Sequence, residues 1–355
     1  MSFVPGSKQQ ALSTKYKMAI DRKPDHDELI HTPPEMAVAE ADVRSKEAGE
    51  FVRGTSLWRD AWRRLLKNKL AVFGLVVVVI VTLASLLGPT LIKRTFGFTP
   101  DYIPTHDIRL TQSFPPFTGP DGEFSWLHPM GTDNAGRDQL ARILQGGQIS
   151  LFVAVIATLV SLLIGVTYGA IAGYFGGRLD NVMMRFVDVL YSLPYVILVI
   201  VLLSMFRSQT PRGQLILLFV AIGSVSWLTM ARIVRGQILS LKNQEFVLAA
   251  RATGVSTSRI IFRHLIPNTL GPVIVYATLS IPQIMLTEAF LSFLGFGVQA
   301  PLSSWGSLAA EGIQNIGIFP WQLIFPGVTM ALTLFSLNFL GDGLRDALDP
   351  QMRTI

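Results

Sequence analysis

Cysteine is missing from all 355 residues, which excludes disulfides, thiolate metal sites and a cysteine nucleophile. Charge is also scarce. Asp, Glu, Lys and Arg make up 15% of the chain, well below the roughly 25% of an average soluble domain. Hydrophobic residues reach 50%, a balance that fits a polytopic membrane protein and sits badly with a water-soluble fold of this length. No GxxxxGK loop followed by Ser or Thr is present, so the chain has no familiar means of binding and hydrolysing ATP. The five histidines, His26, His31, His106, His128 and His264, show no HExxH or other close ligand spacing, which leaves no metal site to assign. Nor is there a GxSxG elbow to set up a serine nucleophile. A membrane enzyme thus has no site to point at. The net charge of +6 is modest and spread over loops, without a basic block interleaved with aromatics, so nucleic acid is not an expected partner.

What the chain has in quantity is long apolar runs. Residues 1–55 are polar, contain proline and keep no sustained period, which predicts a mobile cytoplasmic tail with no cleavable signal peptide. Residues 56–70 then place Trp58, Ala61, Trp62 and Leu65 on one helical face and Arg59, Arg63 and Lys67 on others, the pattern of an interfacial helix against membrane lipid. A first span is expected over 71–92, followed by an external segment over 93–148, in which Asp133 or Asn134 is placed to cap a short amphipathic helix. Five more spans are expected within a domain over 149–345, at 149–172, 187–206, 214–233, 270–294 and 321–341, with a cytoplasmic C-terminus over 346–355. The fold class is therefore all-α and integral to the membrane. Six spans put both ends on the cytoplasmic side, and the basic residues Arg178, Arg185, Arg232, Arg235, Lys242, Arg251, Arg259 and Arg263 fall on that side. The external loop 295–320 has no Lys or Arg, and Arg207 and Arg212 on the short outer loop, with the bases of the long one, weaken but do not reverse the asymmetry.

Inside the spans, Ala157, Ser161, Gly165, Gly169 and Gly173 recur at every fourth position, a stripe of small residues that suits close helix packing. Pro194, Pro272, Pro282 and Pro326 interrupt backbone hydrogen bonding, which is tolerable where neighbouring helices or a water-filled route satisfy the freed carbonyls. Glu288 is the one acid deep in the fifth span. An ionisable residue there faces the bundle or a cavity, so it is a candidate to line a translocation path, with a structural hydrogen bond as the other reading.

Between the third and fourth of these spans in the domain lies the polar segment 242–268. Glu245, Leu248, Ala249, Ala250, Arg251 and Ala252 favour a helix, and Gly254 stands where a left-handed C-terminal cap belongs. Ser256 or Thr257 can cap a second short helix, expected to end before Pro267. The alanines leave the first helix little side-chain bulk, so it could enter a groove on another protein. A basic loop lying on the inner leaflet is the alternative. Among other function classes, an ion-coupled secondary transporter or channel would show paired repeats and more intramembrane charge, and no clear repeat is present.

This segment resembles the EAA loop of permease subunits in ABC-type importers, whose pattern is Glu-Ala-Ala, three residues, Gly, and Pro thirteen residues later. Ala249, Ala250, Gly254 and Pro267 match it; Leu248 stands where that family has Glu, with Glu245 one turn earlier on the same face. From Ser56 onward the pieces GTDNAGRD, RLDNVMMRFVDVLYSLP, VSWLTMARIVRGQILSLK, EAFLSFLGFGVQAPLSSWG and NFLGDGLRDALDP are similar to the C-type permease of bacterial oligopeptide and dipeptide importers. The resemblance implies a six-helix type I importer domain in the bacterial inner membrane that catalyses no reaction itself. It also implies a second homologous permease, two ATP-binding subunits that hold ATP and Mg, and an external peptide-binding protein. On this basis Glu245, Ala249, Ala250, Arg251, Gly254 and Pro267 are the expected coupling residues.

Overall fold

The computed structural model describes residues 57–104, 111–119, 121–206 and 208–348. The tail expected over 1–55, together with His106, Arg207 and most of the expected 346–355 terminus, lies outside them. The architecture is all helical. Helix α1 (Leu57–Lys67) is followed at once by α2 (Lys69–Phe96), because Asn68 takes extended backbone and its side chain accepts from the N–H groups of Leu70 and Ala71 at 3.1 and 3.2 Å. On α1, Ala61 and Leu65 turn inward onto Ala347, while Trp62 and Leu66 stay exposed.

Helix α3 (Gln139–Phe175) starts ten residues before the expected span, and its cap is Asp138, not Asp133 or Asn134. The Asp138 carboxylate accepts from the Ala141 N–H at 2.6 Å, and the pattern of apolar residues continues into the span without a stop, so no separate short helix forms. Helix α6 (Pro211–Leu241) is its main partner. Along the small-residue stripe, Ser161 donates to the Ser226 carbonyl at 3.0 Å, and Gly165, Gly169 and Gly173 face Met230, the Ala231 carbonyl and Ile238 in turn. A side chain at Gly169 would collide with that carbonyl. Lipid offers apolar surfaces as good as a neighbouring helix, so this close backbone approach, and the contacts it permits, is what holds the pair.

The stripe also sets topology. Partners on α6 climb in number as those on α3 climb, so the two helices run parallel and the chain between them must cross from one end of the bundle to the other. That crossing is broken. A single helix was expected over 187–206; instead α4 (Gly177–Ser192) and α5 (Tyr195–Met205) meet at 84°. Pro194 supplies the reason, since it lacks an N–H and holds Leu193 in extended backbone (φ −85°, ψ 135°).

The rest of the bundle is α8 (Thr257–Phe293), α9 (Trp305–Gln314) and α10 (Trp321–Leu348), preceded by the short α7 (Glu245–Ala252). Counting the bent pair as one, six segments among the described residues are long and apolar enough to cross a membrane. The second helix of the 242–268 segment does not end before Pro267. It passes through a π turn (Ile260–Leu265), where the Ile266 N–H reaches the Ile261 carbonyl, and continues as α8. Pro267 then falls in the first turn of regular α-helix, where a missing N–H costs little. Two apolar clusters fill the bundle, one about α3, α5, α6 and α8 and one at the α7 end.

Candidate functional site

Helix α7 is fastened to the bundle by one face and free on the other. Val247 and Ala250 are buried with Val255, Ile260 and Leu265, whereas Glu245, Phe246, Leu248, Ala249, Arg251 and Ala252 point outward. Of the alanines expected at a docking surface, Ala250 instead packs the segment on itself. The helix stops in a Schellman motif, with the Gly254 N–H donating to the Arg251 carbonyl (3.0 Å) and the Val255 N–H to that of Ala250 (3.1 Å). Gly254 has φ +74° and open space where a side chain would be. Ser256 holds the N-cap position of α8, but its hydroxyl makes no capping bond; Ile260 N–H donates to its carbonyl instead.

Polar ties surround this end. Lys242 donates to the Gly173 carbonyl at 2.9 Å, closing the end of α3, and the Arg251 guanidinium sits 5.1 Å from the Tyr174 ring. Arg235 grips Asp180 with two bonds, 2.6 and 2.7 Å, which fixes α4 to α6. Arg259, Arg263 and Pro267 remain exposed.

The second feature is a cavity of about 400 Å³ at the α4–α5 break, walled also by α6 and α8. Its polar groups are uncharged: Tyr191, Tyr195, Ser226, Thr229, Tyr276, Ser280, Gln283 and Thr287. Tyr191 bonds Thr229 at 2.6 Å and Tyr195 bonds Ser226 at 3.2 Å, so two of the tyrosine hydroxyls are oriented by α6. Sequence reasoning did not single out these residues, because scattered hydroxyls in apolar runs signal nothing until the broken span brings them together.

Glu288 lies elsewhere. It is 1% exposed and accepts from Ser150 of α3 at 2.9 Å and from Ser292 at 2.7 Å, with Ser304 at the start of α9 3.3 Å from the Ser292 hydroxyl. The carboxylate ties α3, α8 and α9 together, and its neighbours Gln283 and Thr287, not Glu288 itself, face the cavity. A further network, also unforeseen, holds the same end: Arg142, 2% exposed, reaches Asp133 at 2.6 Å and Glu311 at 2.7 Å. Among the described residues no cluster of His, Asp and Glu has the arrangement of a metal site.

A bundle of crossing helices with a polar cavity beside a broken span, one wall of which runs on to the short, half-exposed α7, is the form of a membrane transport subunit. Residues 165–354 match the family described as binding-protein-dependent transport system inner membrane component, and the chain belongs to that family. Residues 56–116 match the N-terminal transmembrane domain of oligopeptide transport permease C. The chain is 45% identical to the oligopeptide transport system permease protein OppC of Haemophilus influenzae over 85% of its length and 91% of that protein. It is 48% identical to the OppC of Escherichia coli, over 85% and 94% of the two chains. To the dipeptide transport system permease protein DppC of Bacillus subtilis it is 43% identical, over 94% and 97%.

Proposed function

We propose that this chain is the membrane subunit of an ATP-driven peptide importer, forming half of the peptide route in a bacterial inner membrane. A second homologous permease supplies the other half, two ATP-binding subunits hold ATP and Mg, and an external protein delivers the peptide. The names of the relatives support the substrate class. One observation carries the mechanism: the outward face of α7 and the cavity belong to a single mechanical element. α7 is locked onto Ile260 and Leu265, which continue without a break into α8, and α8 brings Tyr276, Ser280, Gln283 and Thr287 to the cavity. From Ile260 to Tyr276 the helix spans about 24 Å. A push on α7 is thus delivered as a movement of the cavity wall, with Glu288 and its serines clamping the far end of α8.

In this reading Glu245, Leu248, Ala249 and Arg251 face the ATP-binding subunit, Gly254 aims the helix, and Pro267 lets the second limb run on into the span. The small side chain of Ala249 permits close approach, and Leu248 gives an apolar contact where the family pattern has a carboxylate. The test contrasts the two neighbouring alanines. Ala249→Asp places a charge on the outward face and should keep membrane level and thermal stability while losing ATPase co-purification and peptide uptake. Ala250→Asp should lower yield and stability directly, because burying an unpaired carboxylate costs about 1–3 kcal/mol or more. Full uptake by Ala249→Asp at normal expression would mean that the segment is a solvated basic linker on the inner leaflet.

A further inference from the structure

The end of the bundle away from α7 carries a ring cluster that neither the lever nor the cavity uses. Residues 115–119 and 121–128 pair as a small hairpin in which Gly119 N–H donates to the Glu123 carbonyl at 2.8 Å and Ser125 N–H to that of Phe117 at 2.8 Å. Its rings pack on one another and not on the core. Phe117 stacks on Phe124 at 5.9 Å, and Trp126 meets both edge-on at 5.3 and 5.4 Å. All three stay exposed, Phe124 to 67% and Trp126 to 70%. A stiff set of rings held open in this way is organised for a partner.

The surface next to it says which partner. Phe117 N–H donates to the His128 carbonyl at 3.0 Å, and the His128 ring lies 5.7 Å from Phe98, which stacks on Phe96 at the end of α2. Leu127 shares a cleft with the same Phe96. The exposed rings therefore continue the exposed apolar surface of α2, whose last turns leave Leu87, Leu91 and Phe96 uncovered. At the other end of α2, Trp62, Leu66 and Leu70 are exposed beside Arg59, Arg63, Lys67 and Lys69. Between these two patches lie the 28 residues of α2, about 42 Å of helix, against about 40–45 Å for a bilayer with its headgroup layers. Indole rings favour that layer, where an apolar body meets water, and Phe accompanies Trp on the apolar face of interfacial segments.

We propose that the 115–128 hairpin is a membrane anchor whose rings lie in the headgroup layer of the leaflet opposite the α7 end, paired across the bilayer with the α1 patch. Asp121 and Glu123, exposed at the hairpin turn, point to water. The natural absence of cysteine gives a clean test. A polarity-sensitive fluorophore is placed on Phe124→Cys, Trp126→Cys or Asp121→Cys in the full-length chain. Each variant goes into nanodiscs of phosphatidylethanolamine and phosphatidylglycerol, with and without its partner proteins. Labels at 124 and 126 should be quenched by lipid carrying a spin label near the headgroup, and should resist aqueous iodide at least several-fold better than the label at 121, in both preparations. Equal iodide quenching at all three sites would overturn the proposal in favour of a solvated loop. Protection that appears only when partner proteins are added would overturn it in favour of a protein contact. The two ring positions are read independently, so misassembly of one variant leaves the other to decide.

Discussion

Gly254 holds φ at +74°, a backbone state that a β-branched residue reaches only at a cost of about 1–2 kcal/mol. Nothing lies within 4 Å of where its Cβ would be, so the penalty of Gly254→Val is conformational and not steric crowding by neighbours. Relief of that strain re-aims α7 against α8. The variant should reach the membrane at normal level but couple poorly, read as lower ATPase co-purification and lower peptide uptake; full coupling would show that α7 needs no fixed angle. Glu288 makes a different case, because its partners Ser150 and Ser292 are themselves buried. Glu288→Gln keeps an acceptor and should cost little stability, while Glu288→Leu strands the Ser150 hydroxyl and leaves that of Ser292 only Ser304 at 3.3 Å, a cost of roughly 1–3 kcal/mol. Thermal unfolding in detergent separates the two variants. Equal melting temperatures for wild type and Glu288→Leu would remove Glu288 from its role as the clamp of α3, α8 and α9.

At the scale of helices, the contact between α3 and α6 rests on the absence of side chains. Gly169→Leu would drive a branched side chain into the Ala231 carbonyl and the Arg235 N–H. Overpacking of this kind typically costs about 1–3 kcal/mol. Because the parallel pair is the centre of the bundle, loss of detergent-stable protein should exceed that of Gly271→Leu, a glycine with open space around it. Equal yields would mean that the stripe is incidental. The spacing of that stripe was visible in the sequence, as were the apolar runs, since both follow from one helix considered alone. Three features were not. Pro194 announces an interruption, but whether a proline gives a kink or an 84° break depends on what receives the second limb. An eight-residue helix such as α7 offers too few turns to tell which alanine faces inward. And the bond between Arg142 and Glu311 joins positions 169 apart, which no local pattern reports.

For the whole molecule, the parity of crossings decides where the ends lie. Because α3 and α6 run parallel, α4 and α5 together must carry the chain across, and the count becomes six rather than five. Leu65 of α1 packs with Ala347 of α10, so both ends of the described chain sit with α7 at one end of the bundle. That end holds Arg59, Arg63, Lys67, Lys242, Arg251, Arg259 and Arg263; the other holds Lys93, Arg94, Arg137, Arg142 and Arg212 but has no Lys or Arg over residues 295–320. A bias of this kind retains a segment in the cytoplasm. The prediction is that single cysteines at Lys67, Asn243 and Arg345 stay shielded from a membrane-impermeant maleimide in intact spheroplasts and react after lysis, while one at Asp121 or Gly317 reacts from outside. Arg345 is the informative site. If it reacted from outside while Lys67 did not, the α4–α5 pair would be a re-entrant loop, the chain would cross five times, and the parallel register of α3 on α6 would have to be wrong.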